Sequence, residues 1–140
     1  MQDFNHRISI VVNKELPSWQ VLNSVAHVSA YFGHKLEDRF DTGENFTSSD
    51  DVIFPRNSQF PIIVLSASPE ELPDFVQKVR AQNEVQSMFF IKEMIETTND
   101  EEIIKILSKK TSLNVEVLGV GIFGTNQQVK DLTQGFKLWK

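Results

Sequence analysis

Phe60-Pro61-Ile62-Ile63-Val64-Leu65-Ser66, with Ser68-Pro69-Glu70-Glu71 close behind, decides the fold class. The first seven residues are an apolar, β-branched run that reads as a buried strand, with Pro61 acceptable at its start. Ser68 then stands at a helix-cap position, Pro69 at the first helical position, and Glu71 where a capping box needs its acid. Leu72, Phe75, Val76 and Val79 recur at helical spacing, so the predicted helix runs to about Gln82. A strand delivered directly into a capped helix points to a chain that alternates the two.

Upstream, Ile8-Ser9-Ile10-Val11-Val12-Asn13 reads as a buried first strand. Pro17-Ser18 opens a helix carrying Val21, Leu22, Val25, Ala26, Val28 and Phe32, with Gly33 as its natural stop and Trp19 covering its entrance. Residues 34–59 lack periodicity and are rich in Asp, Ser, Asn and Gly; they read as a long excursion with a short edge strand near Val52-Ile53-Phe54. Long excursions in small domains are often functional, so this one is expected to wall a site.

Downstream, Ser87-Met88-Phe89-Phe90-Ile91 is a predicted strand. Asn99-Asp100-Glu101-Glu102 starts a helix, its acids favourable near the positive end of the dipole, and Ile103, Ile104, Ile106 and Leu107 are expected to point inward. Val115 to Gly121 forms another strand. Thr125 and Gln128 offer a second capping box, for a helix through Val129 and Leu132 ending near Gly135. Phe136-Lys137-Leu138-Trp139 reads as a docked apolar tail. The predicted architecture is one domain over residues 1–140, a three-layer α/β/α fold with a mixed sheet of about four strands.

Composition narrows the function. The 140 residues carry a formal net charge of −5 and no cysteine, which excludes disulfides, thiolate metal sites and a cysteine nucleophile. No apolar run approaches the ~20 residues of a membrane-spanning helix. The first seven residues lack the pattern of a secretory leader, so a cytoplasmic location is expected. Nucleic acid is not an expected partner, because a clear basic face is missing; Lys130, Lys137 and Lys140 against Asp131 make only a weak patch. Glu93, Glu96, Asp100, Glu101 and Glu102 form an acidic run free of bases. The histidines are few and poorly spaced, so no metal or other cofactor is expected.

Gly119-Val120-Gly121-Ile122-Phe123-Gly124 spells G-x-G-x-x-G. A dinucleotide site also needs a following parallel strand and an acid about 20 residues further on, yet only 16 residues remain after Gly124. The glycines are better read as a sharp strand-to-helix junction. A small anion at the helix start is the other reading.

His27 lies one helical turn after Asn23, so the two project from one face. That pair is the first candidate site, with His27 as proton carrier; the plainer reading is a structural histidine bonded to backbone. Asn13 ends a strand, where open α/β sheets place ligand groups, and is equally a turn residue. Glu93 and Lys92 end another strand and point to opposite faces. Asp41 sits in a D-x-G turn. Ser24 or Ser29 could partner His27, but neither occupies a strained elbow.

Two separated segments carry a resemblance. Val11-Val12-Asn13-Lys14-Glu15-Leu16 with Ala26-His27 resembles the opening of type II peptidyl-tRNA hydrolases, and Val117 to Gly121 with Val129 to Leu138 resembles their ending. A bacterial family of unknown function sharing that fold, domain-of-unknown-function family 2000, is more similar still. It matches at Leu16-Pro17, Leu22-Asn23, Ala26-His27, Asp41-Thr42-Gly43, Phe60-Pro61-Ile62 and Gly121-Ile122-Phe123-Gly124 with Val129.

The resemblance implies a site around Asn13, Gln20, Asn23, His27, Asp41, Lys92 and Glu93, and a homodimer. It also exposes departures. Gln20 stands where the hydrolases carry their catalytic lysine, Ile91-Lys92-Glu93 replaces the stretch holding their aspartate, and Gly121-Ile122 replaces Gly-Pro. An acidic insert, 97–111, follows. Lys14 or Lys92 could supply a replacement amine. The leading expectation is a small-ligand-binding domain or non-classical enzyme, with His27 and Glu93 as catalytic candidates. The alternatives are an esterase acting on tRNA-linked substrates and a non-catalytic, regulatory homodimer.

Overall fold

The computed structural model describes residues 3–40 and 43–140. Along the chain lie β1 (His6–Asn13), α1 (Ser18–Lys35), a 3-10 turn (Glu37–Phe40), β2 (Phe46–Thr47), β3 (Ile53–Phe54), β4 (Ile62–Ala67) and α2 (Leu72–Arg80). Then follow β5 (Gln86–Ile91), α3 (Glu93–Glu96), α4 (Asp100–Leu107), a 3-10 turn (Ser112–Asn114), β6 (Val117–Thr125), α5 (Asn126–Leu132) and β7 (Lys137–Leu138). The main sheet has the order β5-β6-β1-β4-β7, and β2 and β3 pair separately. β1 and β4 are parallel, while β6 runs antiparallel to both β5 and β1.

Both faces of this sheet are covered, which is why its central strands are apolar throughout rather than alternating. Ile8, Ile10 and Val12 of β1 pack with Val21, Val28 and Phe32 of α1. Val11 turns the other way, toward Phe75, Val76 and Val79 of α2 and Val129 and Leu132 of α5. The three layers expected from sequence are present.

The sheet has five strands, not about four. The fifth is β7, where Leu138 and Lys137 of the apolar tail pair with Leu65 and Ser66, and Trp139 N–H donates to the Val64 carbonyl. Ser68 and Glu71 make the reciprocal bonds of a capping box at 3.1 and 3.2 Å, yet regular helix begins only at Leu72. Pro73, lacking an N–H, cannot extend the first turn back toward Pro69.

Three local expectations fail for tertiary reasons. The Gly119–Gly124 segment is no junction: it lies inside β6, and every residue from Val117 to Gly124 is buried. Its glycines make room for neighbouring elements. α1 continues through Gly33 to Lys35, so His27 and His34 share one helix; the open side of Gly33 receives the Phe40 ring. No residue of α4 is fully buried: Leu107 packs against the core as expected, but Ile104 and Ile106 face solvent. No described helix is long and apolar enough to cross a membrane.

Candidate functional site

α1 begins at Ser18 behind Pro17, and its register then places Trp19, Asn23 and His27 four residues apart on one face. Val21, Ser24, Val28 and Phe32 occupy the opposite face and bury against the sheet. The Trp19-Asn23-His27 stripe therefore overhangs the β5 edge. With Met88 and Phe90 of β5, Met94 and Ile95 of α3, and Asp100, Ile103 and Ile104 of α4, it lines an open groove of ≈ 740 Å³. Thr97 and Thr98 complete it between the two short helices.

The groove is apolar with a few polar atoms, the composition of a small-molecule site. The His27 ring stacks on Phe90, with centroids 5.2 Å apart and planes inclined by 17°. Among the described residues, neither nitrogen of that ring is hydrogen-bonded, so His27 has no backbone partner of the kind a purely structural histidine keeps. Trp19 is 58% exposed, unusual for an indole on a folded surface.

The other sequence candidates fall elsewhere. Asn13 is separated from Asn23 and His27. Its Oδ1 accepts from the Glu15 N–H at 2.9 Å, a local turn contact. It borders a second groove, of ≈ 400 Å³, between α2 and residues 112–117. Gln20 is half-buried at the start of α1, where its carbonyl accepts from Ser24 Oγ, and it does not line the groove. Asp41 lies outside the described residues. No described residue of the 34–59 excursion borders either groove; the wall expected there comes from α3 and α4.

Glu93 is buried, and its Oε1 accepts from the Lys110 ammonium at 2.8 Å. That bond holds its carboxyl below the usual range despite the opposing effect of burial. Oε2 is enclosed without a hydrogen-bond partner. Glu93 thus ties the end of the 97–111 insert to the end of β5 and does not line the groove. Lys92 is exposed and sits between Glu116 and Glu96, at 3.4 and 3.7 Å, and these carboxylates, Glu116 foremost, raise its pKa. Among the described residues, no group of three or more His, Asp or Glu could hold a metal ion.

Sequence reasoning missed Trp19, Met94, Asp100, Ile103 and Ile104 as groove residues. The four-residue spacing of Trp19 with Asn23 and His27 was the available signal. Nothing local revealed that Ile103 and Ile104 of α4 border this groove instead of entering the core.

The fold and groove together define a three-layer α/β domain with a ligand-sized depression at one sheet edge. The chain belongs to the family described as "Protein of unknown function (DUF2000)", whose model matches residues 6–140. Its fold is similar to that of Atu0240, a protein of unknown function from Agrobacterium tumefaciens strain C58. The TM-score is 0.82 at 22% identity, over 97% of this chain and 98% of that one. No curated protein matches the chain.

Proposed function

We propose that this protein binds a small organic ligand in the groove between α1, β5 and α3–α4. The observation that carries this reading is the Trp19-Asn23-His27 stripe: an exposed indole, an exposed amide and an exposed imidazole that has no protein hydrogen-bond partner among the described residues, all bordering one largely apolar depression. Folding alone gives no reason to expose Trp19 beside Ile104 and Met94. A chemical step here would run through His27 as proton carrier, with Asp100 as the carboxylate bordering the same space; Glu93 is engaged by Lys110. Ester hydrolysis on tRNA finds little support, since the groove-lining residues include no lysine or arginine to meet phosphate.

A thermal-shift screen against metabolites and nucleotides tests the reading, with Asn23→Ala/His27→Ala as control. Stabilisation of the wild type but not the variant supports it. Stabilisation of both places the ligand elsewhere and overturns it.

A homodimer is the second reading, favoured by the β2–β3 hairpin. Phe46, Val52, Ile53 and Phe54 are each about half exposed or more there, and an isolated two-stranded hairpin is marginal in water. Its test is the oligomeric state.

A further inference from the structure

We infer that the groove ligand is an organic cation, an ammonium group carried on an apolar body. This deepens the ligand-binding reading and rests on it. The apolar part follows from Met88, Phe90, Met94, Ile95, Ile103 and Ile104, which offer more hydrocarbon than any polar ligand would use.

The sign of the charge follows from how the neighbouring acids are used. Of the five in the 93–102 run, Glu93 is matched by Lys110 and Glu96 by Lys92. Asp100, Glu101 and Glu102 have no ion-pair partner among the described residues. Asp100 is the one that borders the groove, and apart from the His27 imidazole no basic side chain, neither lysine nor arginine, lines it. Acids at a helix start also complement the helix dipole, which accounts for their being on the first turn of α4. It does not account for the lack of a lysine or arginine among the groove-lining residues. An anionic ligand is disfavoured twice over: Asp100 repels it, and the Asn99 side chain already takes the Glu101 N–H that an anion would seek.

Two features suit an ammonium. An exposed tryptophan face is the best aromatic partner for a cation, and Trp19 presents one at the groove. The Asn23 and Thr98 side chains add neutral acceptor oxygens along the same walls, while the Thr97 hydroxyl is engaged by Glu102 and the Asn99 N–H.

Three probes with one body separate charge from burial: n-octylammonium, 1-octanol and octanoate. Trp139→Phe leaves Trp19 as the sole indole, and a blue shift in its fluorescence reports burial by the probe. At neutral pH and low salt, octylammonium should bind roughly tenfold more tightly than octanol, with octanoate weakest. Asp100→Asn should bring octylammonium to within about threefold of octanol, whereas Glu101→Gln, an equal charge loss on the same turn but off the groove, should retain most of the preference.

Octanol binding with no advantage for the amine overturns the charge assignment and leaves the ligand-binding reading standing. So does a preference that survives Asp100→Asn. If none of the three binds, both fail. If Trp19 is already buried in solution and Trp19→Ala converts a dimer to a monomer, a second copy covers the groove, and both fail again.

Discussion

Gly121 of β6 lies directly under Val28 of α1: a Cβ on the glycine would stand 2.2 Å from Val28 Cγ1 and 2.7 Å from Phe32 Cε2. The helix that carries the candidate site is therefore seated on bare backbone. Its height above the sheet, and with it the depth of the groove, depends on the missing side chain.

Gly121→Ala should accordingly destabilise the fold by about 3 kcal/mol, the upper range for forcing a methyl into a packed core. Gly119→Ala is the matched control, since its Cβ would meet Ser24 Cβ at an ordinary 3.4 Å. It should change stability by less than about 1 kcal/mol. Urea unfolding of the two variants checks the difference, and equal losses would refute this account of the glycines.

The Glu93–Lys110 pair should make stability fall in acid. Glu93 has a lowered pKa when folded, so it contributes stability above its unfolded value, near 4.5, and loses that contribution as pH drops through its folded value. Glu93→Gln should flatten this acid limb. Lys110→Met should destabilise the protein more at pH 7 than at acid pH, by roughly 1–2 kcal/mol, because it leaves a buried carboxylate unmatched while the lysine itself is partly solvated. Unfolding curves across this pH range decide it; identical slopes in wild type and Glu93→Gln would contradict the pairing.

His27 makes two separable contributions. His27→Phe keeps the ring over Phe90 and removes the nitrogens, so stability should hold within about 0.5 kcal/mol while ligand-dependent stabilisation is lost. His27→Ala uncovers Phe90 and should cost about 1 kcal/mol in the free protein as well. Thermal melts with and without a stabilising ligand distinguish them.

The hairpin can be tested by charge. Phe46 and Phe54 are cross-strand partners on one side, with the Arg56 guanidinium 4.4 Å from the Phe46 ring centroid. If that side joins two copies, sedimentation should show a dimer that Phe54→Asp reduces to a monomer. A wild type that sediments as a monomer would remove the homodimer reading.

Local chemistry was enough to place most elements. The alternation of strands and helices, the Thr125–Gln128 box, the Asn99 cap and the β-branched runs of β1 and β4 depend on neighbours within a few residues. They act in the sequence as they act in the fold. The Asn23–His27 pair was legible for the same reason, because helical periodicity alone puts both on one face. Sequence resemblance also supplied the family.

What the sequence left open required contacts between distant segments. Ile104 and Gly124 could not be assigned locally: an isoleucine on an amphipathic helix or a glycine beside a cap has several valid environments. Only the packing of α1 on Gly119 and Gly121, and of Val85 and Gln128 on Gly124, shows that the glycines are clearance, and only the tertiary arrangement brings Trp19, Asp100 and Ile104 to one groove. Asn13 and Glu93 show the same limit. Asn13 ends β1 and Glu93 opens α3 just after β5, positions where ligand groups often lie, but Asn13 borders a different groove, and Lys110, 17 residues from Glu93, had to arrive before that acid was seen to be matched. Periodicity and capping determined which elements form; side-chain volume and charge, brought together across the fold, decided where the groove lies and which residues line it.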